Sequence, residues 1–180
     1  MELTTEESRR YDSDVVFAGH YEPDGRLELL CDLVRAGVRV RLFGPDWNKP
    51  IQSHPELRCL MPVKSLRGDD YTKALCAAKI ALCFLSKLNR DTYTRRCFEI
   101  PACGVLLLSE HSEDIESLFT EGTEADFFRD RTELLAKVRF YLSHPDVRRQ
   151  VAQAGRVRVE ADNHDVVSRM RQVVRWAQAM

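Results

Sequence analysis

Two stretches of the sequence collect side chains that could hold an anionic ligand. In the first, Gly19 allows a close approach to the backbone, and His20 and Arg26 can donate hydrogen bonds. The second contains four cations just before and within the start of a predicted helix: Lys87, Arg90, Arg95 and Arg96. Cations at a helix N-terminus oppose its dipole, and a bound anion would relieve that conflict. The pattern therefore favours a phosphorylated ligand.

Several common phosphate and nucleophile motifs do not occur in the sequence. It contains no G-x-x-x-x-G-K-[ST] loop, no G-x-G-x-x-G fingerprint and no G-x-S-x-G elbow. The only acidic residue of the first predicted strand, Asp14, precedes its apolar run, whereas a phosphoacceptor receiver domain needs acidic residues at the strand end. These absences argue against P-loop, dinucleotide-binding, serine-hydrolase and receiver classes.

The amino-acid composition excludes further classes of protein. The chain has 180 residues, of which 44% are hydrophobic, and a net charge of −1, which is typical of one globular domain and not of a disordered chain or a general nucleic-acid binder. No apolar run approaches the length of a membrane span, and the first residues do not form a signal peptide. Six cysteines without a C-x-x-C pair suggest buried thiols in a reducing compartment. We therefore expect a cytoplasmic protein with no metal site.

Short apolar runs alternate with segments of helical periodicity along most of the chain. The predicted strands lie at 14–18, 38–43, 57–63, 80–85, 105–108 and 125–128. The predicted helices lie at 27–36, 69–78, 95–103, 114–119, 131–143 and 145–159. This alternation predicts an α/β fold, namely a Rossmann-like three-layer domain with a mostly parallel sheet and extra C-terminal helices.

The two ends of the chain have distinct patterns. Residues 1–12 are polar and unpatterned, so we expect a flexible lead-in followed by a Rossmann-like domain over 13–180. Asn163 can cap a last helix whose apolar stripe we expect to face inward. That stripe is Val166, Val167, Met170, Val173, Val174 and Ala177.

A fold of this kind binds its ligands at the carboxyl ends of the parallel strands. Three loops occupy that position in the prediction: 19–25, 44–48 and 86–94. The first and third carry the candidate ligand groups described above.

One segment resembles a known family. Arg96-Cys97-Phe98-Glu99 and the following Ala102-Cys103-Gly104 are similar to the "R-x-F-E-x-x-A-C-G" core of CgeB-like glycosyltransferases, which are relatives of the GT-B group 1 enzymes. Weaker matches agree in order along the chain: Phe-Gly-Pro-Asp-Trp at 43–47, "L-F-x-x-G-x-E-A" at 118–125 and "Y-L-x-x-P-x-x-R" at 141–148. The resemblance covers residues 14 to 176 and implies the C-terminal, donor-binding half of a GT-B fold.

The resemblance also implies roles for individual residues. Glu99 stands where the superfamily binds the ribose hydroxyls, and Asp91 stands where a second carboxylate lies near the sugar. Arg26 and Arg96 are the candidates to stabilise the departing diphosphate, with Lys87 behind them. The base would lie near residues 63–68. The donor-binding set is then Gly19, His20, Arg67, Lys87, Arg95 and Glu99.

The implied ligand is a nucleotide-diphosphate sugar as donor substrate, with no separate cofactor. A GT-B enzyme has two Rossmann-like domains, so we expect an N-terminal acceptor domain missing from this chain as a partner, with no nucleic acid and no membrane span. One alternative is a non-catalytic nucleotide-binding or interaction module on the same fold. Another is a different enzyme class, such as a sugar-nucleotide epimerase.

Overall fold

Five strands form a parallel sheet in the computed structural model, which describes residues 3–179. The strands are β1 (Ser13–Ala18), β2 (Val40–Phe43), β3 (Ala78–Cys83), β4 (Leu106–Glu110) and β5 (Asp126–Phe128). Their order across the sheet is β2-β1-β3-β4-β5, and every neighbouring pair is parallel. The mostly parallel sheet predicted from the sequence is thus confirmed.

The central strands are apolar along their length because both faces of the sheet are covered. Val15 lies opposite Val40 of β2 and Ile80 of β3, and Leu82 lies opposite Leu108 of β4. All five of these side chains are buried. This burial explains why the strands appear in the sequence as unbroken apolar runs.

Helices connect the strands and extend the chain after the last one. They are α1 (Thr5–Tyr11), α2 (Arg26–Arg35), α3 (Asn48–Ile51), α4 (Asp69–Cys76), α5 (Arg96–Ala102), α6 (Glu113–Leu118), α7 (Arg131–Ser143), α8 (Pro145–Ala161) and α9 (Val166–Gln178). Side chains cap several N-termini: Ser112 accepts from the Ile115 amide and Asp130 from the Glu133 amide.

The helices cover both faces of the sheet and form two cores. On one face Phe17 packs with Leu30 of α2 and Val138 of α7. On the other face Val16 packs with Leu75 of α4 and Ile100 of α5. The neighbouring positions 16 and 17 point to opposite faces, as strand geometry requires. The predicted three-layer α/β arrangement is therefore confirmed.

The predicted strand at 57–63 is wrong. A 3₁₀ helix, Pro55–Leu60, occupies most of that segment, and Leu57 is its one buried residue. Pro55 and Pro62 lack the backbone N–H that a strand ladder needs, so prolines near both ends oppose strand pairing here.

The N-terminal segment is more ordered than its composition predicts. Residues 5–11 form helix α1, which begins with a capping box between Thr4 and Glu7. Glu7 lies 2.9 Å from Lys73 of α4, and Tyr11 is buried. Residues 1, 2 and 180 lie outside the described residues, so the lead-in prediction is corrected only for positions 3–12.

The last helix differs from its prediction in two ways. Asp165, rather than Asn163, caps it by accepting from the Ser168 amide. Its apolar stripe faces solvent, since no residue of α9 is buried and Val166 is 78% exposed. The helical period is right, but the expected inward orientation is wrong, because the rest of the described chain does not cover this face.

The strand order creates a crevice at one point of the sheet. From β1 the chain crosses to β2 on one side, and from β2 it returns to β3 on the other side. The loops that follow β1 and β3 therefore diverge at their shared edge. In open parallel sheets this switch point is where ligands bind.

Candidate functional site

A cavity of about 480 Å³ lies at this switch point. Its walls are the residues after β1 and β2, the segment that leads into α4, and the start of α5. They comprise residues 18–20, 43–45 and 65–68, with the side chains of Tyr71, Arg95, Arg96 and Glu99. The volume is within the range of small-molecule sites.

Most of the residues that the sequence singles out for donor binding meet in this cavity. Gly19, His20, Arg67, Arg95, Arg96 and Glu99 all line it, although they are separated by up to 80 positions in the chain. Gly19 and His20 come from the loop after β1. Arg67 comes from the segment before α4, and the other three come from the start of α5. No residue of the predicted loop 86–94 lines the cavity.

Backbone contacts between two loops form one wall of the cavity. Gly44 has a φ of +137°, and a Cβ built on it would lie 2.0 Å from the carbonyl oxygen of Gly19. The same carbonyl accepts a hydrogen bond from the buried Trp47 indole at 2.7 Å. The Gly19 amide donates to the Phe43 carbonyl at 2.9 Å. These contacts fix the backbone at position 19 and leave little room for movement.

Arg96 is a cation of the cavity wall that has no ion-pair partner among the described residues. Its guanidinium lies 5.8 Å from the centre of the Phe17 ring. Its Nε is buried without a hydrogen-bond partner, and among residues 3–179 the side chain makes no ion pair. A buried unsatisfied donor costs free energy, so an anionic ligand would stabilise this side chain.

Glu99 lies one helical turn after Arg96 in α5. Its Oε2 accepts a hydrogen bond from the Tyr71 hydroxyl at 2.8 Å, and its Oε1 lies 3.5 Å from Nε of Arg95, which is largely exposed. Burial, together with the Glu99 charge, raises the pKa of Tyr71 well above its usual range, so Tyr71 remains a donor. Each carboxylate oxygen can accept two hydrogen bonds, which leaves acceptor capacity for ligand hydroxyls.

His20 is held from behind by a buried carboxylate. Glu22 is 2% exposed, and its Oε1 lies 2.5 Å from Nε2 of His20. Its Oε2 accepts from the Ser86 hydroxyl at 3.0 Å and lies 3.5 Å from Arg26. Burial raises the pKa of Glu22, but the hydrogen bonds from Ser86 and His20 and the Arg26 charge outweigh it and leave the pKa below its usual value.

Arg26 does not line the cavity. It is 2% exposed, and Asp24 takes two of its nitrogens, Nε at 2.7 Å and Nη2 at 2.5 Å. Its Nη1 donates to the His20 carbonyl at 2.8 Å. Because these bonds occupy the guanidinium, Arg26 holds the loop after β1 and is not positioned as the predicted diphosphate partner of Arg96.

Asp91 and Lys87 also lie outside the cavity walls. The Asp91 amide donates to the Ser86 carbonyl at 2.9 Å, which closes the turn after β3. Lys87 lies 3.4 Å from Glu110 at the end of β4. The structure therefore does not bring the predicted second carboxylate or the reserve cation to Arg96 and Glu99.

The sequence analysis missed three residues of the site. They are Glu22, Ser86 and Tyr71. Glu22 and Ser86 fall in loops, where polar residues are normally solvated, so nothing local indicates their burial. Tyr71 lies within the predicted helix 69–78, and only its contact with Glu99 distinguishes it from a core aromatic residue.

Residues 3–179 contain no group of three or more His, Cys, Asp or Glu side chains that could hold a metal ion. They also contain no helix that is long and apolar enough to cross a membrane.

Comparison with known proteins gives a family and a fold. A family model described as "Glycosyl transferase-like" matches residues 26–175. No curated protein matches the sequence.

Solved structures share the architecture at low sequence identity. Anabaena Alr3699/HepE in complex with UDP-glucose superposes with a TM-score of 0.74 at 15% identity, over 99% of this chain and 54% of that one. The C-terminal domain of a Francisella tularensis group 1 glycosyl transferase, LpcC, gives 0.66 at 11% identity, over 89% and 93%. Sucrose-phosphate synthase from Thermosynechococcus elongatus gives 0.68 at 15% identity, over 97% and 49%.

The fraction of each matched protein that aligns with this chain differs between the three structures. The chain spans about half the length of HepE and of the sucrose-phosphate synthase, and nearly all of the LpcC domain. At these identities the likeness establishes the fold alone, which is an α/β Rossmann-like domain shared with these proteins.

Proposed function

This chain belongs to the glycosyl transferase-like family, and from that premise we propose that it is a donor-binding domain for a nucleoside-diphosphate sugar. The observation that carries the proposal is the pairing of Arg96 and Glu99 on one face of α5, both lining the switch-point cavity. An unpaired guanidinium suits a diphosphate, and a carboxylate with acceptor capacity suits the hydroxyls of a ribose.

The proposed binding mode assigns one part of the ligand to each wall. Arg96 contacts the diphosphate, with Arg95 and His20 at the rim, and Gly19 allows the phosphates to approach the backbone. Glu99 accepts from the ribose hydroxyls while Tyr71 holds its other oxygen. The base lies against residues 65–68, where Arg67 borders it. The donor needs no separate cofactor in this proposal.

The proposed reaction is glycosyl transfer to an acceptor. Negative charge develops on the diphosphate as the glycosidic bond breaks, and a cation fixed beside it stabilises the transition state. Because the chain spans about half of HepE, we propose that an acceptor-binding domain completes the cleft. The motif at 96–104 supports the CgeB-like branch of the family as the closer assignment.

Calorimetric titration with UDP, GDP, ADP and TDP tests the binding proposal. UDP is the first ligand to try, since HepE was solved with UDP-glucose. We expect one nucleotide to bind with a Kd between about 1 μM and 1 mM. Arg96→Gln and Glu99→Gln should each weaken it by about tenfold, the loss expected for one charge-assisted hydrogen bond. Glu99→Gln keeps an acceptor for Tyr71 and so preserves the packing.

Arg156→Gln is the matched control, because this exposed arginine pairs with Glu160 on α8, away from the cavity. It should bind as tightly as the unmodified chain. Binding that is equal in all variants would contradict the proposed site. Robust sugar transfer by this chain alone would contradict the proposed need for a second domain. If a form with both domains binds the nucleotide but transfers no sugar, the chain is a non-catalytic nucleotide-binding module.

A further inference from the structure

We infer that Glu22 is a positioning residue that accepts from Nε2 of His20 and so directs Nδ1 at the ligand, where the doubly protonated ring donates to the diphosphate as a cation. This inference rests on the proposed function and deepens it. It concerns residues for which neither the family model nor the structural neighbours give a role.

The hydrogen-bond geometry fixes the proton on one ring nitrogen. A carboxylate can only accept, and Glu22 Oε1 lies 2.5 Å from Nε2 of His20, so Nε2 must donate. The second oxygen of Glu22 accepts from Ser86 at 3.0 Å, which prevents the carboxylate from turning away. Nδ1 of His20 has no hydrogen-bond partner within the described part of the chain.

Burial makes this arrangement unusual for a loop. Glu22, Arg26 and Ser86 are 2%, 2% and 3% exposed, directly behind a histidine whose side chain is 44% exposed at the cavity. Removing charges from water is costly, and a buried ion pair contributes little net stability. Asp24 already pairs with Arg26, so stability of the loop does not require Glu22 as well. Positioning of His20 accounts for this second buried carboxylate.

The charges around His20 determine which ring state binds the ligand. Behind it lie Glu22, Asp24 and Arg26, and across the cavity lie Arg67, Arg95, Arg96, Glu99 and the neutral Tyr71. The imidazolium is the ring state that places a cation between the Glu22 carboxylate and a bound diphosphate. In that state Nδ1 also carries a proton and can donate to a phosphate oxygen.

The experiment measures UDP and inorganic pyrophosphate affinity between pH 5.5 and 8.5 in four forms of the full chain. These are the unmodified chain, His20→Gln, Glu22→Gln and His111→Gln. His111 is a matched control because it also bonds a glutamate, Glu116 at 2.9 Å, outside the cavity. Titration of the ligand phosphate is common to all four forms, so only differences between their pH profiles count.

We expect the unmodified chain and His111→Gln to bind about three- to tenfold more tightly at pH 5.5 than at pH 8.5, beyond the ligand's own contribution, since histidines change charge between about pH 5 and 8. His20→Gln should abolish this extra tightening of binding at low pH, and Glu22→Gln should abolish most of it. A purely structural Glu22 would change the melting temperature and leave the pH profile unchanged, and that result would overturn the inference.

Nitrogen-15 NMR of the His20 ring separates this inference from the proposed function. The ligand-free chain should show Nε2 protonated, and Glu22→Gln should lose that preference while the fold is retained. A proton on Nδ1 alone in the unmodified chain would overturn the positioning role whether or not nucleotides bind. Failure of every nucleotide and of pyrophosphate to bind would instead overturn the proposed function and with it the diphosphate contact.

Discussion

At the scale of single residues, Gly44 has the least freedom to change. Its φ is positive, and a Cβ built on it would lie 2.0 Å from the Gly19 carbonyl oxygen, so no side chain fits there. Gly44→Ala should therefore destabilise the chain by about 2 kcal/mol or more and displace the loop after β1. Urea denaturation measures the stability, and UDP titration of the folded fraction measures the effect on the cavity.

Gly122→Ala is the comparison for this prediction. Gly122 also has positive φ, but a Cβ there meets nothing within 4 Å. Gly122→Ala should lower the free energy of unfolding by about 1 kcal/mol through backbone strain alone, and it should leave ligand binding unchanged. Equal effects of the two substitutions would contradict the role given to the Gly19–Gly44 contact.

Contacts between individual residues are also where prediction from the sequence was incomplete. The resemblance was sufficient to bring Glu99 and Arg96 into one site. It could not show that Asp24, two positions away, would bond Arg26, or that Glu22 would be buried. Such pairings depend on how a loop folds back on itself, and neither periodicity nor motif spacing contains that information.

At the scale of elements, the exposed stripe of α9 contrasts with the buried stripe of α7. Val174 is 50% exposed, whereas Val138 is fully buried. Val174→Ala should change the free energy of unfolding by less than about 0.5 kcal/mol, and Val138→Ala should lower it by about 2 kcal/mol through lost burial and a cavity. Thermal and urea denaturation of the two variants measure both values. A loss at position 174 as large as that at 138 would mean that α9 is buried in solution.

The elements themselves were largely predictable, since apolar runs and helical periods are local signals. Two errors have physical reasons. The apolar residues of 57–63 suggested a strand, but prolines near both ends favour the 3₁₀ turn. The stripe of α9 predicted a face buried within the chain, and the described residues do not bury it, because amphipathicity gives the period of a helix and not the element that covers its apolar face.

At the scale of the whole molecule, ion pairs between elements determine the response to acid. The Arg129 hydrogen bond, with help from Lys137, lowers the pKa of Glu121 from 4.5 to about 2. The Lys73 hydrogen bond lowers the pKa of Glu7 to about 2. Burial raises the pKa of Asp14, but the hydrogen bonds from Arg39 and Lys79 have the larger effect, and the pKa falls to about 2. These pairs join α1 to α4, β1 to its neighbours, and the loop before β5 to α7.

Because the folded state lowers these pKa values, the pairs stabilise the fold above about pH 4.5, and that stability is lost as the pH falls toward 2. Glu121→Gln should lower the free energy of unfolding by about 1 kcal/mol at pH 6.5, because solvent screens this partly exposed pair. At about pH 2 the variant and the unmodified chain should be equally stable. Urea denaturation at several pH values measures the difference. Glu28→Gln is the control, because Glu28 is exposed. Its stability relative to the unmodified chain should not depend on pH in this way. A pH-independent effect of Glu121→Gln would contradict the stabilising role given to the Glu121 ion pairs.

The strand order has a further consequence, for the rate at which the chain folds. All neighbouring strands are parallel, so no pair can be joined by a hairpin, and each pairing must first close a crossover of about a dozen residues or more. The β1–β3 pairing, beside which the cavity lies, closes the longest of these loops. Local contacts cannot nucleate this part of the sheet, so refolding should take milliseconds or longer. We therefore expect the ligand crevice to be assembled late, after the chain has completed the β1–α2–β2 unit and returned across it, and the refolding rate measured by stopped-flow tests this order.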